Sequence, residues 1–512
     1  MERYRLAQGH HRAVKRLAFT SILLLVGLVA PASPASETIT DALQRFLEQP
    51  AFQHASCGVS VLDADSGRVL CEWNAHRLLK PASCAKIFTA ALALDVLGAK
   101  TRFATEVIPD GPISSRGILH GNLILRGGGD FSLAARFHQS HATQAVHSVA
   151  QSLHRAGLRR IEGDIVADDA LFQGPPFGTG WTWDDLRYAY GAEVSALSLD
   201  DNVLDVEWAP GETTNAPIQF HPPPGASYFD WDLAPLRTVP MGTSRELQFE
   251  RSPGSRHVRV RGSLPAGTAP WKDAVPIPQP ALYFAHRLRE ALVSIGIFVS
   301  GQPRHSPGAA QSPARRMGSA PPISLLSPDV GTLVVAMMKS SQNLYAQSLL
   351  LQVGTRSPYQ FPSTTTEEAG IRVLQEFIAS ARIPAAEVRL DDGAGLSRSS
   401  LVTPAALVAM LRFMDRHRHR QTFLESLPIA GVDGTLRRRF ANTPLVGSLQ
   451  GKTGTLRYVH TLAGFLTHPS GRRLVFAIML NAYDPPRPAP TGREALDSLV
   501  LRLAHSTLPE SP

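Results

Sequence analysis

At 512 residues, with 43% apolar and 18% charged side chains, the chain is long enough for several packed domains and too apolar to be disordered. Its formal charge of +8 is partly a property of the N-terminus: residues 1–35 hold five basic residues and one acid, so the remainder carries +4, which gives no reason to expect nucleic-acid binding. The N-terminal basic stretch ends at Lys15-Arg16, an apolar run follows from Leu17 to Ala30, and Pro31-Ala32-Ser33-Pro34-Ala35 supplies small residues. This predicts an exported, periplasmic protein whose signal peptide is cleaved near residues 32–35. The apolar run is short for a spanning helix and no later one is long enough; an uncleaved membrane tether is the minor reading, and peripheral membrane contact is left open.

Ile39 to Leu47 has helical periodicity. Cys57 and Cys71 flank a hairpin turning through Asp63-Ala64-Asp65-Ser66-Gly67, and a bridge between them or two buried free thiols are both open. The hairpin runs into Pro81-Ala82-Ser83-Cys84-Ala85-Lys86 and the apolar stretch Ile87 to Leu94. Strand, strand, helix predicts an antiparallel sheet backed by helices. Near Thr101 the character changes. Short strands such as Gly121 to Arg126 alternate with a helical pattern over Ala142–Ala156, and residues 202–262 read as a small β-rich module with turns at Pro210-Gly211 and Pro222 to Gly225. A helix is predicted over Ala281–Ile295, and 302–319 is a Pro/Gly/Ser/Arg-rich linker or loop. Helical patterns then span Asp329–Leu350, Glu367–Ala381 and Thr403–Phe413, before strands at Thr461–Leu466 and Leu474–Leu480 and a last helix near Glu494–His505. The expected division is therefore a signal peptide at 1–35, a main domain from 36–100 and 320–512, an inserted domain from 101–201 and 263–301, and a nested β domain at 202–262.

His138, His141, His147 and His154 do not fit a metal-ligand spacing, and neither a metal nor a cofactor is expected. The run Arg416-His417-Arg418-His419-Arg420 reads as a solvated helix end.

Chemistry enters through lysine usage. The chain has seven lysines against 44 arginines. Arginine cannot serve as a base, whereas lysine can be tuned by burial, so Lys86 and Lys452 are more informative here than in a lysine-rich protein. Residues three apart on a helix share a face, which puts Lys86 beside Ser83 as a base beside a nucleophile. Two further stretches complete a pattern: Ser341-Gln342-Asn343 inside an apolar helical segment, and Lys452-Thr453-Gly454-Thr455 at a strand start. Acyl transfer needs a nucleophile (Ser83), its base (Lys86) and a proton route to the leaving amine (Ser341). It also needs a polar group to hold the base and substrate amide (Asn343), and a positive charge and hydroxyl for an anionic group (Lys452, Thr453). Gly454 lets a substrate backbone approach the strand edge.

The order S-x-x-K, S-x-N, K-T-G is that of penicillin-binding proteins and β-lactamases. Over residues 37–505 the chain resembles the D-alanyl-D-alanine carboxypeptidase/endopeptidase family, the class C low-molecular-mass penicillin-binding proteins. The stretches carrying the resemblance include Leu125 to Asp130, Gly163 to Asp168, Tyr190 to Leu197, Asp392 to Arg398 and Leu427 to Leu436. The 255 positions from Lys86 to Ser341 match the family's inserted domains. The resemblance implies an α/β (α+β) fold with a serine β-lactamase/transpeptidase-like core, an antiparallel sheet flanked by helices, carrying two smaller inserted domains. It also implies an acyl-Ser83 enzyme acting on peptidoglycan stem peptides and cross-links, with β-lactams as acylating inhibitors. Backbone N–H groups of Ser83 and Thr455 would form the oxyanion hole, and Lys452 and Thr453 would bind the terminal carboxylate. Asp185, Tyr190 and Arg398 would hold the free end of a diaminopimelate side chain. Ser-Cys-Ala-Lys and Ser-Gln-Asn depart from the family's usual motifs only at variable positions. A β-lactamase, and an idle wall-binding or penicillin-sensing protein, are the rival readings; oligomeric state leaves no mark in the sequence.

Overall fold

The computed structural model describes residues 37–137, 143–233, 236–311, 321–359 and 361–510. The expected signal peptide lies outside the described residues. Five antiparallel strands build the central sheet in the order Val69–Trp73, Ser56–Asp63, Arg473–Asn481, Val459–Thr467, Leu449–Leu456. The two ends of the chain therefore form one sheet. Leu474 to Leu480 is apolar throughout because its strand is covered on both faces. Leu474, Phe476, Ile478 and Leu480 join a core with the helices Ile39–Leu47 and Gly492–His505, while Val475, Ala477 and Met479 join the core around Phe88 and Leu92. The helix Lys86–Leu92 is buried on every side, as its apolar sequence demands, and Lys86 is the charge it carries inward.

The inserted region is mixed. Its larger sheet runs Pro303–His305, Ile165–Asp168, Asn122–Arg126, Ala104–Asp110, Ile323–Leu326, with parallel pairing among the first three strands. Helices Thr143–Arg155 and Pro280–Ser294 supply apolar side chains to its core. Three limits differ from the sequence reading, each because strand pairing is non-local. Pro303–His305 is a strand, not linker; Ile323–Leu326 pairs with the inserted sheet, beyond residue 320; and Trp271–Pro276 pairs with Val203–Ala209, carrying the β-rich part past residue 262. The β-rich strands share one apolar core with the rest of the insertion, in which fully buried Trp208 stacks on Phe220 at 4.3 Å.

Cys57 and Cys71 are free and buried, Cys71 standing opposite Val61 and Cys57 opposite Leu480. Burial pushes both thiols up to about 12. Among the described residues no cluster of metal-binding side chains occurs; His138 and His141 lie outside them. The basic run at 416–420 is less solvated than its composition suggests, because Asp95 draws in His417 (3.2 Å) and Arg418 (2.9 Å). Among the described residues no helix is long and apolar enough to cross a membrane.

Candidate active site

Ser83 sits on a short 3-10 turn, Ala82–Ala85, whose direction is continued by the buried helix. Ala82 before it has φ +46, a left-handed backbone held from two sides. Thr461 donates to the Pro81 carbonyl at 2.8 Å, and Gly395 (φ +71) abuts the Ala82 carbonyl so closely that a β-carbon there would lie 2.0 Å from it.

Lys86 is fully buried; its Nζ donates to Asn343 Oδ1 (2.7 Å) and the Ala394 carbonyl (2.7 Å) and lies 2.9 Å from Ser83 Oγ. Burial, then the nearby Lys452 charge, hold this ammonium well below the usual lysine range, against the opposite pull of Asp392 and Cys84. The neutral amine is thereby favoured next to the serine hydroxyl. Cys84, Ser83's neighbour in sequence, is locked away: its thiol donates to the Lys452 carbonyl at 3.1 Å and lies 3.1 Å from Thr461 Oγ1, and burial raises it.

The second motif interrupts the helical segment predicted as continuous. One helix ends at Ser340, Ser341 takes a left-handed conformation (φ +59), and a new helix begins at Asn343. The break aims two adjacent side chains at different lysines: Ser341 Oγ accepts from Lys452 Nζ at 2.7 Å, and Asn343 accepts from Lys86. Asn343 also donates from Nδ2 to the Tyr190 carbonyl at 2.9 Å, and Gln342 Nε2 reaches Asp201 Oδ2 at 3.5 Å. Both contacts tie the motif to the inserted region. Asp201 is held in turn by Tyr345 and by Arg136 at 2.5 Å.

Lys452 lies mid-strand on the edge of the central sheet, not at the strand's start. It is fully buried, donates also to the Thr453 carbonyl (2.7 Å), and is pushed down to about 8 by burial, with Cys84 opposing. Thr453 Oγ1 bonds Thr435 Oγ1 at 2.8 Å, and Thr455 is exposed. Gly454 passes directly over the serine: a β-carbon on it would lie 2.9 Å from the Ser83 nitrogen, 2.7 Å from the Pro81 carbonyl and 2.2 Å from Thr461 Oγ1. Gly454→Ala is expected to push the strand off the serine. Penicillin acylation should fall by about 100-fold, as for a displacement of order 1 Å, with a stability loss of about 1–3 kcal/mol. Stopped-flow acylation and thermal melting check this.

Asp185 is buried at the rim of this ensemble. Its carboxylate accepts from Arg398 (3.2 Å), from the Thr182 N–H (3.0 Å) and from the Thr182 hydroxyl (2.7 Å). Tyr190 stacks on Tyr188 at 5.3 Å, and burial, reinforced by Asp185, pushes its phenol up to about 12. All eleven residues singled out from the sequence thus fall on three neighbouring pieces: the serine turn with Lys86 and Asn343, the edge strand with Ser341, and the Asp185–Arg398 pair with Tyr190. Sequence reasoning assigned nothing to Asp392, to the Ala394 carbonyl, to Thr435 or to Thr461. The first three lie in stretches that carried the family resemblance, but a loop's carbonyl direction has no side-chain signature.

A buried serine–lysine pair, a second serine–lysine pair and an open strand edge beside them define a serine acyl-transfer enzyme. The chain belongs to the D-Ala-D-Ala carboxypeptidase 3 (S13) family, whose model matches residues 39–503. The D-alanyl-D-alanine carboxypeptidase of Actinomadura sp. (strain R39) is 31% identical, over 98% of this chain and 93% of its own length. The D-alanyl-D-alanine carboxypeptidase DacB of Haemophilus influenzae is 28% identical, over 91% of this chain and 92% of its own. The crystal structure of penicillin binding protein 4 (dacB) from Haemophilus influenzae superposes with a TM-score of 0.75 at 25% identity, covering 90% of this chain and 97% of that one. The α/β fold with a transpeptidase-like core and extra domains is therefore established, and the protein is a serine peptidase of the D-alanyl-D-alanine carboxypeptidase class.

Proposed function

We propose that the chain trims peptidoglycan stem peptides and cross-links through an ester on Ser83. The single observation carrying this is the geometry of Lys86, fully buried and 2.9 Å from Ser83 Oγ, with burial favouring its neutral form. Lys86 takes the Ser83 proton as Oγ forms a bond to the carbonyl carbon of the penultimate D-Ala, or of the D-centred cross-link bond. The N–H groups of Ser83 and Thr455 hold the oxyanion. As the C–N bond breaks, the proton taken up by Lys86 passes by way of Ser341, which Lys452 orients at 2.7 Å, to the leaving amine, and Lys86 is neutral again. Water then attacks the ester with Lys86 again as base, and the serine is restored.

Lys452 and Thr453 supply a buried charge and a hydroxyl for the terminal carboxylate of the stem peptide. Asp185, Tyr190 and Arg398 offer both signs of charge and a phenol on one rim, which suits the amine-and-carboxylate end of a diaminopimelate side chain. A β-lactam presents the same carbonyl-and-carboxylate pair and acylates the same serine. The first 35 residues direct the enzyme to the periplasm, where its polymer lies, with cleavage near residues 32–35 and membrane contact peripheral at most. The domain reading is a catalytic unit built from both ends of the chain, with the inserted region contributing the Tyr190 and Asp185 wall.

Digestion of purified muropeptides tests the reading. The expected products are pentapeptides shortened by one D-Ala and cross-linked dimers cleaved to monomers, with both reactions stopped by penicillin. Rapid penicillin turnover with muropeptides untouched would replace the reading by a β-lactamase. A stable adduct with muropeptides untouched would replace it by an idle penicillin-sensing protein.

A further inference from the structure

The loop that supplies one of the three partners of Lys86 is organised around a buried carboxylate. Asp392 has no exposed surface. Its Oδ1 accepts from the Gly395 N–H (3.1 Å), and its Oδ2 accepts from the Leu396 N–H (3.0 Å) and from the Trp181 indole Nε1 (2.9 Å). Two of these donors belong to the loop itself and bend it into a tight turn. The third comes from the inserted region, more than two hundred positions earlier in the chain. Within the turn, Gly393 is pinned on both sides: its N–H donates to Gln347 Oε1 (2.9 Å) and its carbonyl accepts from Thr89 Oγ1 (2.6 Å). Thr89 stands one helical turn beyond Lys86, so the loop grips the very helix face that presents the base. What remains at the tip of the turn is the Ala394 carbonyl, 2.7 Å from Lys86 Nζ.

Resting on the acyl-serine reading, we infer that Asp392 is a positioning residue for the general base. By gathering the Gly395, Leu396 and Trp181 donors, it fixes the Ala394 carbonyl against Lys86 and makes the setting of the base depend on how the inserted region is seated. The partners of its carboxylate are donors, with Ser400 Oγ, which accepts the Asp391 N–H, 3.5 Å from Oδ1. Donors on both oxygens favour the anion, against burial, which raises the group. The charged and titratable groups around the base are then Lys452 on the edge strand, Asp392 in the loop and Cys84 on its own turn; Glu367, on the helix Thr366–Ser380, faces Asp392 from the other side. Glu367 also accepts from Thr179 and from Gln347, joining the segment before Trp181 to the same loop.

The test is the pH profile of acylation by a fluorescent penicillin, which has no diaminopimelate side chain and so reports the acylating groups without the Asp185–Arg398 rim. Asp392→Asn keeps the size of the side chain but turns an amide toward the Trp181 and Leu396 donors and removes the negative charge. Its plateau rate is expected to fall about 10- to 100-fold, and its acid limb to move about one pH unit lower, since Lys86 loses the anion that favours its proton. Trp181→Phe keeps the ring and removes only the donor; its plateau is expected to fall severalfold with an unchanged melting temperature. A folded Asp392→Asn with its acid limb in the wild-type position would overturn the inference. Should that variant not fold, an unchanged plateau in Trp181→Phe overturns it instead. A wild-type protein that forms no adduct at all is the separate failure of the acyl-serine reading.

Discussion

Ser83→Ala is expected to form no penicillin adduct and to lose D-Ala release by about 10⁴- to 10⁶-fold, the scale on which removing a nucleophile acts. The adjacent thiol offers no rescue. Cys84 is buried in a slot between the Lys452 carbonyl and Thr461, and burial raises its thiol. Intact-mass measurement after incubation with penicillin reads the result directly, and an adduct surviving in the variant would move the nucleophile elsewhere. The fold should be untouched, because a single hydrogen bond between the serine hydroxyl and Lys86 contributes about 1 kcal/mol.

Lys86→Met carries the second large effect, a loss of about 10²- to 10⁴-fold in acylation, the range attributed to a positioned base. The pH profile makes it specific. In the proposed mechanism Lys86 acts as the neutral amine, so kcat/KM is expected to fall as pH drops through its depressed pKa. Lys452 must be charged to hold a carboxylate, so kcat/KM falls again as pH rises through about 8. The methionine variant should keep the fall above about 8 and lose the acid limb. A variant retaining both limbs would show that another group titrates at low pH. The same shifts act on stability: between about 8 and the unfolded value of about 10.4 the unfolded chain binds more protons at Lys452 than the native one, so stability rises with pH across that window.

Much of this enzyme was legible without coordinates. Two features survive any folding detail: residue chemistry and periodicity. Serine followed three positions later by a lysine fixes a shared helix face, and the chain's avoidance of lysine elsewhere marks Lys86 and Lys452. The unbroken apolar run Leu474 to Leu480 could only be a strand covered on both faces or a buried helix, and the structure makes it the middle strand of the sheet. The hairpin, the helix after it and the terminal helix follow from patterns that are local in sequence.

What was not legible is non-local or hidden in backbone direction. Ser341-Gln342-Asn343 lies in a segment whose periodicity is helical on both sides, and only the left-handed Ser341 reveals that the helix breaks to serve two lysines. The limits of the inserted region depend on which strand pairs with which across the chain, so composition placed them short of the pairing seen for Trp271–Pro276 and Ile323–Leu326. The sequence by itself determined the kind of chemistry, because acyl transfer demands particular side chains in a recognisable order. The tertiary structure alone decided the state of Lys86. Its buried amine takes its character from Lys452, 366 positions away, and from Asp392, 306 away, and burial and charge act through space rather than along the chain.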